Sequence, residues 1–151
     1  MLNQRAATAR RQLDKHLTLF RNIGPRPTRG WIRAIREALA MSTRQFAKRL
    51  MVSQPAVIEL EKNEAAGVIT LENLERAARA LDCRLVYALV PRTSLEAIAA
   101  DRAEEVARSR LRSTAHTMSL EAQSVDATDE QEQVKQLARW LLEQPRSKLW
   151  E

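Results

Sequence analysis

The feature that most limits how this chain can fold is a pair of short helical segments, residues 42–50 and 53–62, joined by about three residues. Ser42 and Gln45 form the S-x-x-Q pattern of a capping box, and Ser53 is a second N-cap, so both helix starts are marked. The connection is too short for anything but a tight turn. Two helices joined in this way are held at a steep angle, which is the helix-turn-helix arrangement.

The second of these helices has an outward face of unusual composition. Helical geometry points Val57, Leu60 and part of Glu61 inward. The outward residues combine an amide, two apolar groups and a carboxylate, namely Gln54, Pro55, Ile58 and Glu59. In the major groove of DNA, an amide can bridge adenine N6 and N7, a carboxylate can accept from cytosine N4, and apolar groups can touch thymine methyls. We therefore predict that this face contacts base edges; the alternative is a solvated face in a domain that binds protein.

Basic side chains surround this face, namely Arg44, Lys48, Arg49 and Lys62. In a helix-turn-helix, one helix rests across the DNA backbone while the other enters the major groove. Contacts to phosphates fix the position of the protein on the duplex without reading its sequence. We predict that these four side chains contact phosphates.

The distribution of charge indicates which part of the chain meets a polyanion. The 151 residues carry a net charge of +6, with a pI near 10.2, a balance typical of proteins that bind nucleic acid. Residues 1–30 hold seven basic and one acidic residue, residues 31–92 hold ten and seven, and residues 93–151 hold eight and eleven. We therefore expect the polyanion at the first 92 residues and a different partner at the acidic remainder.

The composition predicts an all-α protein. Glycine occurs only three times, and strong helix formers such as Ala, Leu, Arg and Glu dominate. We expect a basic N-terminal helix and linker over 1–27, the DNA-binding domain over 28–92, and a C-terminal helical region for dimerisation or partner binding over 93–151. The linker contains the sequence GPRP, which cannot continue a helix.

One segment does not follow the helical pattern. RLVYALV, residues 84–90, is rich in β-branched and aromatic residues and is apolar on both faces. This pattern predicts a short β-strand that is either covered on both sides or paired with another chain. Pro91 ends it. We expect the dimer contact to be either this strand or the helices of 94–143.

Residues 31–90 resemble the Cro/repressor-type helix-turn-helix family, also called the xenobiotic-response-element family. The resemblance lies in MSTRQFAKRLMVSQPAVIELEKN, where the matching positions are Ser42, Phe46, Ala47, Val52, Ser53, Val57, Leu60 and Glu61. It implies a core of five helices that binds DNA. Three positions depart from the pattern: Thr43 replaces the usual Gln, Met51 the turn Gly, and Asn63 the closing Gly. Met51 places an ordinary side chain where a positive φ is often needed.

The same resemblance implies roles for individual residues. Carried over position by position, Gln54, Pro55 and Glu59 become base readers. Thr43 and Ser53 become phosphate contacts at helix N-termini, where backbone N–H groups favour anions.

Over its whole length the chain resembles the family named mobile mystery protein A. The supporting stretches are the N-terminal helix, GPRPTRGWIRAIREALAMS, SQPAV and DCRLVYALVP. This resemblance implies a partner of the Fic type, which transfers AMP or a related group to proteins. It also implies an antitoxin-like regulator that binds DNA and restrains that partner.

A possible inhibitory sequence for such a partner begins at Thr117. Many proteins that restrain Fic enzymes use a helix of the form [ST]-x-x-x-E-[GN], whose Glu blocks productive binding of the ATP γ-phosphate. Thr117 and Glu121 have the first part of this pattern, but Ala122 follows where Gly or Asn is expected. The match is partial, and chance matches of this kind are expected in a chain rich in Glu and Ser.

Several classes of function are not expected from the sequence. No nucleophile stands beside a plausible base, and there is no Gly-rich phosphate loop, so we predict no catalytic residues and no cofactor. His16 and His116 have no neighbouring Cys or paired acids, so we predict no metal site. No apolar run is long enough for a membrane span, and Cys83 is the only cysteine, which fits a cytoplasmic protein.

Two functions are therefore expected, and they are compatible. The first is a sequence-specific transcriptional regulator, an autorepressor and antitoxin of an operon that also encodes a Fic-type partner. It would bind a palindromic operator as a homodimer, because one helix-turn-helix reads only a short site. The alternative is an antitoxin that inhibits its partner directly through the C-terminal helices, with DNA binding secondary.

Overall fold

The computed structural model describes residues 2–118, 127–144 and 148–150, and its regular elements are all helical. The elements are α1 (Leu2–Thr18), α2 (Trp31–Ala38), α3 (Thr43–Leu50), α4 (Gln54–Ala66), α5 (Leu71–Ala80), α6 (Leu95–Met118), α7 (Ala127–Glu143) and a 3-10 turn (Lys148–Trp150). The predicted all-α class is thus confirmed. Within the described residues, no helix is long and apolar enough to cross a membrane.

The chain divides into two compact units. One is Ile23–Ala88, and the other combines Met1–Asn22 with Leu89–Glu151. The first unit contains α2 to α5, four helices rather than the expected five. Its core is a cluster of small and medium apolar side chains around one aromatic ring: Ile32, Phe46, Ala47, Val57, Ala77 and Leu81.

Both predicted helix starts in this unit are confirmed. The Ser42 hydroxyl accepts from the Gln45 backbone N–H, and the Gln45 side-chain oxygen accepts from the Ser42 backbone N–H at 2.8 Å. These two bonds form the capping box, which satisfies two N–H groups that a helix start otherwise leaves free. The Ser53 hydroxyl accepts from the backbone N–H of Ala56 in the same way.

The end of α4 differs from the sequence prediction. The pattern suggested a stop near Asn63, but the helix continues to Ala66 and ends at Gly67, which takes the left-handed conformation with φ 75°. Glycine adopts this conformation without the steric cost of a Cβ atom, so it is the stronger stop signal. The additional turn places Glu64 on the inward side of the helix, where it is buried.

The buried Glu64 carboxylate caps the start of α2. Its Oε1 accepts from the Trp31 backbone N–H at 2.7 Å, and its Oε2 accepts from the Ile32 N–H at 2.9 Å. A carboxylate at this position satisfies free N–H groups and is favoured by the positive end of the helix dipole. On the same turn of α4, Arg26 donates to the backbone oxygens of Glu64 at 2.6 Å and Ala65 at 3.1 Å. The last turn of α4 is therefore bonded to the start of α2 through the Glu64 carboxylate, and to the segment before α2 through Arg26.

A buried ion pair forms a second connection between α2 and α4. The Arg36 guanidinium donates to both oxygens of Glu61, at 2.6 and 3.1 Å, and both side chains are less than a tenth exposed. The hydrogen bond that Arg36 donates to Glu61 raises the pKa of Arg36 above its ordinary value. Arg36 also donates to the Met41 backbone oxygen at 2.9 Å, ahead of α3. A two-pronged contact of this kind fixes the orientation of the helices as well as their distance.

The predicted β-strand over residues 84–90 does not form within the single chain, and its pairing with another chain stays a prediction. No strand occurs in the described residues, and the chain from 84 to 90 forms no regular element. A strand exists only when a neighbouring strand accepts and donates its backbone hydrogen bonds. No other described segment supplies that neighbour.

The second unit is held by a short hydrophobic seam and a helix cap. Small residues of α6, Ala103 and Ala107, pack with Val134, Ala138 and Leu141 of α7. At the other end of α6, the Asp14 carboxylate accepts from the backbone N–H groups of Leu95 and Glu96 at 2.8 and 3.2 Å. Arg10 of α1 pairs with the side chain of Glu96 at 2.9 Å. These contacts connect α1 to the start of α6.

Gly30 is predicted to be essential for the contact between α4 and α2. Its backbone has φ 85° and ψ 164°, a region that is nearly closed to other residues. A Cβ atom there would lie 2.5 Å from the capping Glu64 Oε2. Gly30→Ala should therefore lower the free energy of unfolding by at least about 1–3 kcal/mol, measured by urea denaturation.

Gly24→Ala is the matched control, because a Cβ atom at Gly24 would meet nothing within 4 Å. We expect a change of no more than about 0.5 kcal/mol. Equal losses for the two variants would contradict the role given to Gly30.

Candidate nucleic-acid interface

The turn between α3 and α4 is the tight connection that the sequence predicted. Met51 takes the left-handed conformation, with φ 58° and ψ 41°, at the point where the related motif has glycine. The chain then closes with a hydrogen bond from the Val52 N–H to the Ala47 oxygen at 3.0 Å. The Met51 side chain is 90% exposed and contributes nothing to the core. The turn therefore forms with an ordinary residue, at the cost of some backbone strain.

The helix α4 has one buried and one exposed side, as predicted. Val57 is fully buried, Glu61 is bound to Arg36, and Leu60 is partly buried against the core. The predicted base-contacting residues all lie on the exposed side: Gln54, Pro55, Ile58 and Glu59. Ile58 is 49% exposed, so an apolar side chain lies beside an amide and a carboxylate on an open helix face.

A hydrogen bond brings together the first residues of the two helices. The Gln54 side-chain nitrogen donates to the Thr43 hydroxyl oxygen at 2.8 Å. Both residues are helix-start positions, since Thr43 begins α3 and Gln54 begins α4. The contact limits the rotamers that Gln54 can adopt, and it was not predicted from the sequence.

The predicted phosphate-contacting residues fall into two groups. Arg44, Lys48 and Lys62 are exposed, and none of them forms an ion pair with another described residue. Arg49 is different, because it donates to the Ala80 backbone oxygen at 2.6 Å and to the Asp82 carboxylate at 2.7 Å. Arg49 thus connects the end of α3 to the end of α5. It would have to exchange these bonds to meet a phosphate.

The two hydroxyl residues predicted as phosphate contacts are at helix N-termini. Ser53 uses its hydroxyl oxygen as the α4 cap, and its hydroxyl hydrogen is not used in that bond. Thr43 accepts from Gln54 in the same manner. A hydroxyl can accept and donate at once, so both can still donate to a phosphate oxygen.

The possible inhibitory residues cannot be placed. Thr117 lies in the last turn of α6, but its side chain is outside what the structure describes. Glu121 lies outside the described residues. Their pairing stays a prediction from the sequence.

Sequence reasoning missed the residues that hold the interface from behind. Arg36 and Glu64 are charged and buried, and neither was predicted; Glu61 was expected to lie partly inward, but its pairing with Arg36 was not. The burial of Arg36 could be predicted from its spacing, because it lies four residues after Ile32 and therefore on the same buried side of α2. Nothing in the sequence alone indicates which acid completes the pair.

Comparison with known families agrees with this geometry. Residues 32–87 match the family model described as Helix-turn-helix, which covers DNA-binding domains of the Cro/C1 type. No curated protein and no solved structure matches the chain. The part of the chain that contains α3, the turn and α4 is thus a helix-turn-helix domain of a DNA-binding class, and the predicted resemblance is confirmed for these residues.

The bond between Thr43 and Gln54 predicts that the two side chains act together in DNA binding. We expect the variants Thr43→Val and Gln54→Ala to be non-additive. The coupling free energy should be about 0.5–1.5 kcal/mol on a specific site and near zero on random DNA. Fluorescence anisotropy on both duplexes would measure it. Additive losses on the specific site would show that the bond does not orient Gln54.

Proposed function

We propose that this chain is a sequence-specific transcriptional regulator that places α4 in the major groove of its operator. The observation that carries the proposal is the exposed side of α4, with Gln54, Ile58 and Glu59 open to solvent while the opposite side is fixed in the core. An amide, an apolar group and a carboxylate are the groups that distinguish base pairs in that groove. Unpaired Arg44 and Lys48 lie on the neighbouring helix, where phosphate contacts are needed.

The regulator is further proposed to act as a homodimer on a palindromic site. A single recognition helix contacts only a few base pairs, which is too little to select one operator in a genome. Two copies related by a two-fold axis read two half-sites about one helical turn apart and double the contacts.

We also propose that the chain is an antitoxin that represses its own operon and restrains a Fic-type partner. The support is the resemblance of the whole sequence to the mobile mystery protein A family. The unequal charge of the chain is consistent with two partners, since residues 93–151 carry three more acidic than basic residues. A region of that sign avoids DNA and is available for a protein.

The second candidate is an antitoxin whose main contact is with the partner protein, through residues 93–151. Trp140 and Trp150 favour it, because they are 50% and 66% exposed. Exposed Trp is costly in water and is a frequent anchor at protein interfaces. In this case DNA binding would be secondary.

Variants on the two surfaces should separate base reading from phosphate binding. Gln54→Ala should lose about 1–3 kcal/mol on the operator and little on random DNA, because one base contact disappears. Lys48→Ala should weaken both duplexes alike and reduce the salt dependence of binding by about one phosphate contact. Gel shifts at several salt concentrations would measure both effects.

Lys135→Ala is the matched control for charge, since Lys135 is exposed on α7 outside the proposed interface. We expect no change on either duplex. An unchanged ratio of operator to random binding for Gln54→Ala would remove the assignment of base reading to α4.

The antitoxin role is tested with the purified full-length chain and the protein encoded by the adjacent reading frame. We expect the chain to bind that protein and suppress its AMP transfer, measured with labelled ATP. Gln54→Ala should suppress it as well as the natural chain does, while Glu121→Gln should restore transfer. A chain that binds DNA but neither binds nor inhibits the partner would end the antitoxin proposal and leave the regulator intact.

A further inference from the structure

The segment from Arg84 to Val90 has an unusual combination of properties. It forms no regular element, and its backbone forms no hydrogen bond with any described residue. Its apolar side chains are largely open, with relative exposures of 55% for Val86, 71% for Tyr87 and 89% for Leu89. An apolar segment of β-branched and aromatic residues with free N–H and C=O groups is suited to pairing with another strand.

The sequence of the segment is suited to pairing with itself. In an antiparallel pair related by a two-fold axis, side chains that face each other must lie on the same side of the sheet, so one residue is always opposite its own copy. If that residue is Tyr87, then Leu85 is opposite Leu89 and Val86 is opposite Ala88. Every inner pair is then apolar. Cross-strand contacts between apolar and aromatic side chains stabilise sheets.

The position of Pro91 selects this register. Proline has no backbone N–H and cannot donate to a strand ladder. With Tyr87 at the centre, the ladder runs from Arg84 to Val90 and leaves Pro91 outside. A centre at Ala88 would bring Pro91 into the ladder, and a centre at Val86 would shorten the segment of apolar pairs.

We propose that residues 84–90 of two copies of this chain pair as antiparallel strands, with Tyr87 opposite Tyr87, and that this pairing forms the dimer. The inference rests on the proposed homodimer and names its surface. The partner is a second copy, because the pairing satisfies the backbone groups and covers apolar side chains of both chains by the same contacts. The segment begins three residues after Leu81 of the helix-turn-helix core, so it connects the two DNA-binding domains closely.

Disulfide trapping tests both the pairing and its register. Cys83→Ala provides a background without cysteine, and single cysteines are then introduced as Val86→Cys, Tyr87→Cys and Ala88→Cys. Opposed residues have Cβ atoms about 4.5–5.5 Å apart, close to what a disulfide needs, while a shift of two residues gives about 7–8 Å or more. Mild oxidation without DNA should therefore cross-link Tyr87→Cys at least tenfold faster than the other two.

Two further measurements complete the test. Glu72→Cys, exposed on α5, is the control for random collision and should not cross-link. Tyr87→Asp places two like charges opposite each other and should raise the dimer dissociation constant at least tenfold in sedimentation equilibrium. The substituted side chains are exposed, or half-buried at Ala88, and lie outside both hydrophobic clusters, so the helix content by circular dichroism should not change.

The outcomes distinguish a failure of the strand pairing from a failure of the proposed homodimer. A chain that sediments as a monomer at about 50 μM, well above the range of stable dimers, overturns the homodimer and its surface together. A dimer without a cross-link at any of the three positions overturns only the surface. Faster cross-linking at 86 or 88 than at 87 overturns the register. Operator binding is measured separately and does not depend on these results.

Discussion

The attachment of α4 to α2 by two buried carboxylates is the constraint on which the exposed face of α4 depends. Glu61 binds the Arg36 guanidinium at both oxygens, and Glu64 caps the first N–H groups of α2. Charged groups are costly to bury unless every one of them is paired, and no buried side-chain polar atom in the described residues lacks a partner. Because both carboxylates are on the inward side of α4, they fix its rotation. The same rotation decides which side chains of α4 are exposed to solvent.

In this arrangement, the residues that stabilise the fold differ from those proposed to contact DNA bases. The residues that hold α4 point inward, whereas Gln54, Ile58 and Glu59 point outward and make no contact with the core. A change on the outward side alters the groups offered to DNA and leaves the attachment intact. Conversely, loss of Glu61 would leave the buried Arg36 charge with only the exposed Glu37 carboxylate, 3.8 Å away, as a counter-charge, which is strongly destabilising. Specificity and stability therefore depend on different residues of one helix.

The sequence predicted what depends on local chemistry and missed what depends on distant partners. The Ser42 and Ser53 caps, the turn at Met51 and the two sides of α4 follow from spacing along a few residues, and all are present. The pairing of Arg36 with Glu61 joins positions 25 apart, so no periodicity marks it. The strand over 84–90 does not form within the single chain for a related reason. Its composition favours a strand, but a strand also needs a partner, and composition does not say whether that partner belongs to the same chain.

In the proposed DNA complex, the hydrogen bond between Gln54 and Thr43 would order the reading side chain before DNA binds. A free glutamine loses about 1–2 kcal/mol of rotamer entropy when it is fixed, and the Thr43 bond removes part of that loss in advance. The bond does not block base reading, because the amide nitrogen carries two hydrogens and Thr43 takes only one. The second hydrogen can go to adenine N7 while the amide oxygen accepts from N6. Thr43 would thus orient the Gln54 amide and leave one N–H and the amide oxygen free for a base. If Thr43 contacted only a phosphate, it would not orient Gln54.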